Sequence, residues 1–187
     1  EISLVKQKAL NSLNPVLKIG GQLSLPFQFH LGLSKEESEA RARELLDLVN
    51  IDQRYYDSYP HELSGGMRQR VIIAIALSLK PKLIIMDEPT TALDVITERE
   101  IINNIQELQK SLGFSVIFIT HDLNLLMQFA DKICVLYDGE IVDYGTSKQI
   151  GDGGKHYYTK TLLDSIPNID KSISSFKPKD KLSNKIL

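Results

Sequence analysis

Between residues 63 and 130 the sequence alternates helix-like and strand-like runs, and that alternation constrains the fold more than any other feature of the chain. The segment Met67 to Leu79 is apolar on nearly every side after Arg70, the pattern of a helix buried inside an α/β domain. Lys80-Pro81 stops it. Leu83-Ile84-Ile85-Met86 is a short continuous apolar run, read as a parallel strand covered on both faces, and it ends in Asp87-Glu88-Pro89. Thr97 and Glu100 have capping-box spacing. Ile101, Ile102, Ile105, Leu108 and Leu112 follow at helical spacing, and Gly113 is placed to end that helix. A strand over Phe114 to Ile119 comes next, and then Thr120-His121-Asp122, where Asp122 would cap a helix from Leu123 to Ala130. Strand, helix, strand, helix predicts an α/β fold with a mostly parallel sheet.

The flanking segments extend this plan. Ile2 to Val5 reads as a strand, Val16 to Phe29 as a helix after Pro15, and Ser34 with Glu37 as a capping box. The helix behind that box would bury Ala40, Ala42, Leu45, Leu46 and Val49, and a polar connector runs from Asp52 to Glu62. Asp138-Gly139 between Ile133–Tyr137 and Glu140–Tyr144 is tight-hairpin chemistry, predicting an antiparallel edge on the sheet. Beyond Pro167 the tail is rich in lysine and serine and is expected to be loosely ordered.

Composition narrows the function classes. With 187 residues, 42% hydrophobic and 25% charged, the chain can build one real core. Its net charge of −2 carries no basic excess, so broad contact with a nucleic acid backbone is excluded from the reading. The single cysteine, Cys134, lies in an apolar run and is expected to be a small buried thiol. The longest apolar run, Val71 to Leu79, is far short of the roughly 20 residues that cross a bilayer. The sequence opens at Glu1, without methionine and in mid-strand, and reads as a truncation.

Leu63-Ser64-Gly65-Gly66-Met67-Arg68-Gln69-Arg70 puts a serine and two glycines at the amino end of a helix, where free N–H groups and the helix dipole favour an anion. Taken alone, the same residues serve equally as an ordinary capped helix with a glycine turn. The whole string resembles the signature motif of ABC-type ATPases. In that family the signature contacts the γ-phosphate of ATP held by the opposite subunit, which implies nucleotide contacts for Ser64, Gly65, Gly66 and Gln69 across a dimer. The resemblance continues through the chain. Leu83 to Asp87 with Glu88 resembles the Walker B strand, implying Mg²⁺ at Asp87 and polarisation of the attacking water by Glu88. Pleat alternation sends the two carboxylates to opposite faces. Ala92-Leu93-Asp94 is similar to the D-loop, so Asp94 would connect two nucleotide sites; on its own, an aspartate before a helix is usually just a cap. His121 falls at the switch-histidine position. Gln7, ahead of Ser12-Leu13-Asn14-Pro15, resembles the Q-loop glutamine, which reaches Mg²⁺ and the water.

The resemblance also defines what the sequence lacks. A phosphate-binding loop needs Gly, four residues, then Gly-Lys-Ser/Thr, and no segment fits; near Gly154-Lys155, Gln149 and His156 break the pattern. The implied fold is P-loop NTPase-like, shortened at its amino terminus. Residues 1–150 would form the carboxy-terminal portion of the ATPase domain, with a helical subdomain over about 14–80. Residues 151–187 would form an extension of the type found in importer ATPases. Ser12 to Pro15 and the tail Lys155-His156-Tyr157-Tyr158-Thr159-Lys160-Thr161-Leu162-Leu163 resemble dipeptide, oligopeptide and nickel importer subunits. The cofactors implied are ATP and Mg²⁺, with no iron–sulfur cluster because no cysteine follows Cys134. The partners implied are a second nucleotide-binding subunit, membrane permease subunits and, indirectly, an external solute-binding protein. The place implied is the cytoplasmic face of the membrane. A non-catalytic fragment acting as an interaction module, or an ABC ATPase serving DNA or ribosomes, are the competing readings; the importer-like tail weighs against the latter.

Overall fold

A computed structural model describes residues 2–7, 12–91 and 93–166 of the chain. They form two compact units that divide between Thr120 and His121.

In the first unit, β1 (Ile2–Val5), β2 (Leu83–Asp87) and β3 (Ser115–Ile119) form a parallel sheet in that order. Val5 lies opposite Met86, which in turn lies opposite Phe118. Strand alternation sends Val5, Ile84 and Met86 into the core. There they join Val71, Ile73 and Ala74 of α3 (Gly65–Leu77) and Ile101, Ile105 and Leu108 of α4 (Val95–Leu112). The other face differs from the expectation of a strand buried on both sides. Leu83 and Ile85 are only half-buried, and their neighbours Ile2, Leu4, Ile117 and Ile119 are 66%, 52%, 48% and 47% exposed. An apolar run does not by itself say how many layers cover it.

The helical part of this unit hangs on short-range chemistry. α1 spans Ile19–Leu31, three residues later at its start than the sequence suggests. The reason is Gln22, whose buried amide accepts from Asn14 N–H at 2.8 Å and donates to the Asn14 and Leu17 carbonyls, folding 14–17 into a turn. Gly32 ends α1 at φ +65°. α2 (Lys35–Leu48) begins with the predicted reciprocal Ser34–Glu37 box. It buries Ser38, Ala42, Leu45 and Leu46, whereas Ala40 faces out. The connector at 52–62 is two 3₁₀ turns that bury Tyr56 and Pro60. The Tyr56 ring lies where a Cβ on Gly20 would be, 2.3 Å from that position, and the Arg43 guanidinium covers the ring at 4.0 Å.

α3 is buried along most of its circumference, as its apolar sequence predicts. α4 is capped by Asp94, not by the Thr97–Glu100 box: Asp94 accepts from the Ile96 and Thr97 N–H groups, and Thr97 lies within the first turn. Gly113 closes α4 at φ +73° as expected.

The second unit contains α5 (Leu123–Phe129), β4 (Lys132–Tyr137), β5 (Glu140–Thr146), α6 (Ser147–Gly151) and α7 (Tyr157–Asp164). Asp122 caps α5 through the Leu125 N–H. Asp138 and Gly139 have φ of +50° and +80°, the left-handed pair that suits a two-residue hairpin. The hairpin pairs β4 with β5 as a two-stranded antiparallel sheet, the antiparallel element predicted from the turn. Cys134 is exposed, contrary to expectation, because alternation gives the inner face to Ile133 and Val135. Residues 167–187, expected to be loosely ordered, lie outside the described residues. Among the described residues no helix is long and apolar enough to cross a membrane.

Candidate active site

The carboxyl ends of parallel strands collect the polar groups of an α/β fold, since the chain must leave the sheet there. Here the ends of β1 and β2 bring Gln7 and Glu88 together: Gln7 Nε2 donates to Glu88 Oε2 at 3.2 Å. Thr91 Oγ1 donates to the same oxygen at 2.9 Å. The Glu88 backbone is held as firmly. Its N–H donates to the Ile119 carbonyl at 2.9 Å, and its own carbonyl accepts from Thr91 N–H at 3.2 Å. Its φ of +46° is left-handed, an unfavourable state for a residue with a Cβ, maintained by these bonds on both sides.

That conformation changes the reason why Asp87 and Glu88 differ. β2 ends at Asp87, so the pleat governs Asp87 alone; Glu88 is re-aimed by its left-handed backbone. Asp87 pairs with Ile119 in the sheet register and is half-buried.

A second cluster forms around the amino ends of α3 and α4. Ser64 is the cap of α3, its hydroxyl accepting from Met67 N–H at 3.3 Å. A Cβ on Gly65 would lie 3.3 Å from Leu93 Cδ2, and one on Gly66 would lie 2.5 Å from Thr97 Cγ2. The two glycines therefore let α3 approach the 93–97 segment. Asp94 Oδ2 accepts from Thr97 Oγ1 at 2.6 Å. The Thr97 hydroxyl and N–H hold the Asp94 carboxyl below the usual carboxylate range. Arg70 and Glu100 pair at 3.2 Å and tie the two helices one turn further on. Gln69 lies in the interior, 1% exposed, with Nε2 unpartnered among the described residues, whereas Ser64 is at the surface. His121 follows β3 by two residues, is exposed, and opens the second unit.

Thus the structure joins Gln7 to Glu88, and the signature glycines to the segment bearing Asp94. Two hydroxyls were missed in the sequence: Thr91 and Thr97. The signal was present, because each stands three residues after a carboxylate, Glu88 and Asp94 respectively, where a turn brings the hydroxyl back onto it.

Asp87, Glu88 and Gln7 offer oxygen donors, which suits a hard divalent cation such as Mg²⁺. Among the described residues no group of three or more His, Cys, Asp or Glu is placed to hold a metal. Mg²⁺ is commonly held by one or two carboxylates with phosphate oxygens and water completing its shell, so the residues present fit that mode.

Known proteins place these clusters in context. The family model described as ABC transporter matches residues 1–91. The chain is 46% identical over 176 residues to the dipeptide transport ATP-binding protein DppD of Lactococcus lactis subsp. cremoris, covering 92% of this chain and 50% of that protein. It is 46% identical over 174 residues to the oligopeptide transport ATP-binding protein OppD of Bacillus subtilis, covering 92% and 49%. It is 44% identical over 171 residues to the glutathione import ATP-binding protein GsiA of Escherichia coli, covering 90% and 27%. The chain therefore spans about half the length of the DppD and OppD relatives. A dimeric structure of the ATP-binding cassette MJ0796 bound to ADP and Pi superposes with a TM-score of 0.67 at 36% identity, over 79% of this chain and 63% of that one. A parallel sheet with carboxylates at its edge, a glycine-packed signature helix and these likenesses converge: the chain belongs to the ABC transporter family of ATP-binding proteins.

Proposed function

We propose that the protein works as the ATP-hydrolysing subunit of an importer for peptides, in a head-to-tail dimer docked on the cytoplasmic side of membrane permease subunits. The observation that carries this reading is the Gln7–Glu88 hydrogen bond, which places an amide and a carboxylate at the carboxyl edge of the parallel sheet. Glu88 orients a water molecule and accepts its proton as the water attacks the γ-phosphorus and the bond to the β-phosphate oxygen breaks, giving ADP and phosphate. Gln7 positions the Glu88 carboxylate and reaches the same water. His121 supplies a further contact to the γ-phosphate. Bound Mg²⁺, held by Asp87 and Gln7, would neutralise phosphate charge. Ser64, Gly65, Gly66 and the more deeply placed Gln69 form the signature region that serves the partner's nucleotide, and Asp94 links the two sites.

The names of DppD and OppD support peptides as cargo, and that of GsiA adds glutathione, itself a tripeptide. Residues 1–150 act as the ATPase portion, and residues 151–187 as its extension. The 187-residue chain has no phosphate-binding loop in its sequence and, taken alone, does not hydrolyse ATP.

Glu88→Gln in the full-length protein tests the assignment. It retains shape while removing the proton acceptor, so ATP binding persists and turnover falls by at least about a hundredfold, the range of general-base catalysis. A wild-type turnover rate in this variant would refute the role of Glu88.

A further inference from the structure

We propose that Thr91 is a positioning residue for Glu88 in ATP hydrolysis; this inference rests on the reading of Glu88 given above. Four features of the structure lead to it. Thr91 Oγ1 donates to Glu88 Oε2 at 2.9 Å, the shorter of that oxygen's two bonds from Gln7 and Thr91. Thr91 N–H donates to the Glu88 carbonyl at 3.2 Å, closing the turn that carries the hydroxyl back to the carboxylate. Glu88 has left-handed φ, so its direction is set by the turn and not by the strand that precedes it. Pro89 and Thr90 between them are buried, which seats this turn against the protein.

Gln7 and Thr91 are not equivalent as donors to Glu88 Oε2. Gln7 reaches across from two residues beyond the end of β1, 81 positions away in the sequence, so its contact depends on the pairing of β1 with β2. Thr91 belongs to the same turn as Glu88 and is held to it by its own backbone N–H. A carboxylate serving as a base must present one geometry to its water, and small displacements weaken proton transfer sharply. The Thr91 hydroxyl, carried by the same turn, therefore sets the rotamer of Glu88, and Gln7 adds a second bond to the same oxygen. Thr91 touches neither nucleotide nor water in this scheme; it acts only through Glu88.

The test uses full-length protein assembled with its natural partner subunits. Thr91→Val retains the β-branched shape and removes the hydroxyl, whereas Thr91→Ser retains the hydroxyl. Loss of a hydrogen bond to a charged group predicts that Thr91→Val lowers kcat about tenfold, with KM for ATP moving less than about twofold. Thr91→Ser should recover most of the rate. In the Glu88→Gln background the Val substitution should cause no further fall, because there is no longer a base to position. Equal melting temperatures for the Val and Ser variants separate this effect from a folding defect. An unchanged kcat in Thr91→Val, an equal fall in Thr91→Ser, or an additive fall in the double variant overturns the inference. If Glu88→Gln loses activity while Thr91→Val does not, only the positioning role fails; if Glu88→Gln retains activity, the reading beneath it fails as well.

Discussion

Gly66 and Thr97 fit each other at the crossing of α3 and α4: a Cβ added to Gly66 would stand 2.5 Å from Thr97 Cγ2. The same threonine donates its hydroxyl to Asp94 at 2.6 Å, so one side chain both fills the space that Gly66 leaves and fixes the α4 cap. A signature glycine is thereby required by packing within the subunit, apart from any contact with nucleotide.

Gly66→Ala should therefore destabilise the full-length protein. Helix propensity alone favours alanine by up to about 1 kcal/mol. Overpacking against a β-branched neighbour costs about 1–3 kcal/mol and opposes it, so a net loss of roughly 1 kcal/mol is expected. Thr97→Ser removes the obstructing methyl and keeps the hydroxyl on Asp94, so the Gly66→Ala/Thr97→Ser pair should regain stability in urea denaturation. Equal loss in the single and double variants would contradict the packing argument.

The second unit carries a different anchor. Asp143, on β5, accepts from Thr159 Oγ1 at 2.6 Å and from the Lys155 and His156 N–H groups, tying α7 and the residues before it to the hairpin. These bonds, that from Thr159 first, hold its carboxyl below the usual carboxylate range. A depressed folded value means that its contribution is present above about pH 3.9, the ordinary aspartate value, and is lost as pH falls through the folded value. The ring contacts of Tyr137 with Tyr157 and Tyr158 report on the same docking. The near-UV tyrosine circular dichroism signal should decline in an acid step below about pH 4. In Asp143→Asn that step should be absent, the signal being already weak at neutral pH. An unaltered step would assign it to another carboxylate.

The exposed apolar face of the parallel sheet, with Ile2, Leu4, Ile117 and Ile119, should show itself when the 187-residue chain is expressed alone. Parallel sheets are ordinarily covered on both faces, and an uncovered apolar face promotes association. The chain should bind a hydrophobic dye and self-associate in light scattering, and Leu4→Lys with Ile117→Lys should reduce both. Dye binding and association undiminished by the two lysines would place the sticky surface elsewhere.

How far the sequence reached is clearest where partners lie close in the chain. Ser34 with Glu37, Asp122 with Leu125, Gly113 behind α4 and the Asp138-Gly139 turn are as predicted, each being decided within a few residues by backbone hydrogen bonds and φ preference. The alternating strands and helices and the strand ending in Asp87-Glu88 were equally readable, because period and run length are local properties. Thr97 was misread as a cap although its spacing to Glu100 was right. Asp94, three residues earlier, offers a carboxylate to the same turn, and the packing of Thr97 against Gly66 keeps it inside the helix.

Thus the sequence alone determined the kinds of element through the hairpin, the caps of α2, α3 and α5, the α/β class and the residues with chemistry to offer. Tertiary structure alone decided which of them meet. Gln7 and Glu88 are 81 positions apart, and only the parallel pairing of β1 with β2 brings them to 3.2 Å. The same holds for the exposed side of Cys134 and the half-covered sheet, since periodicity shows that a face is apolar but only packing determines what lies against it.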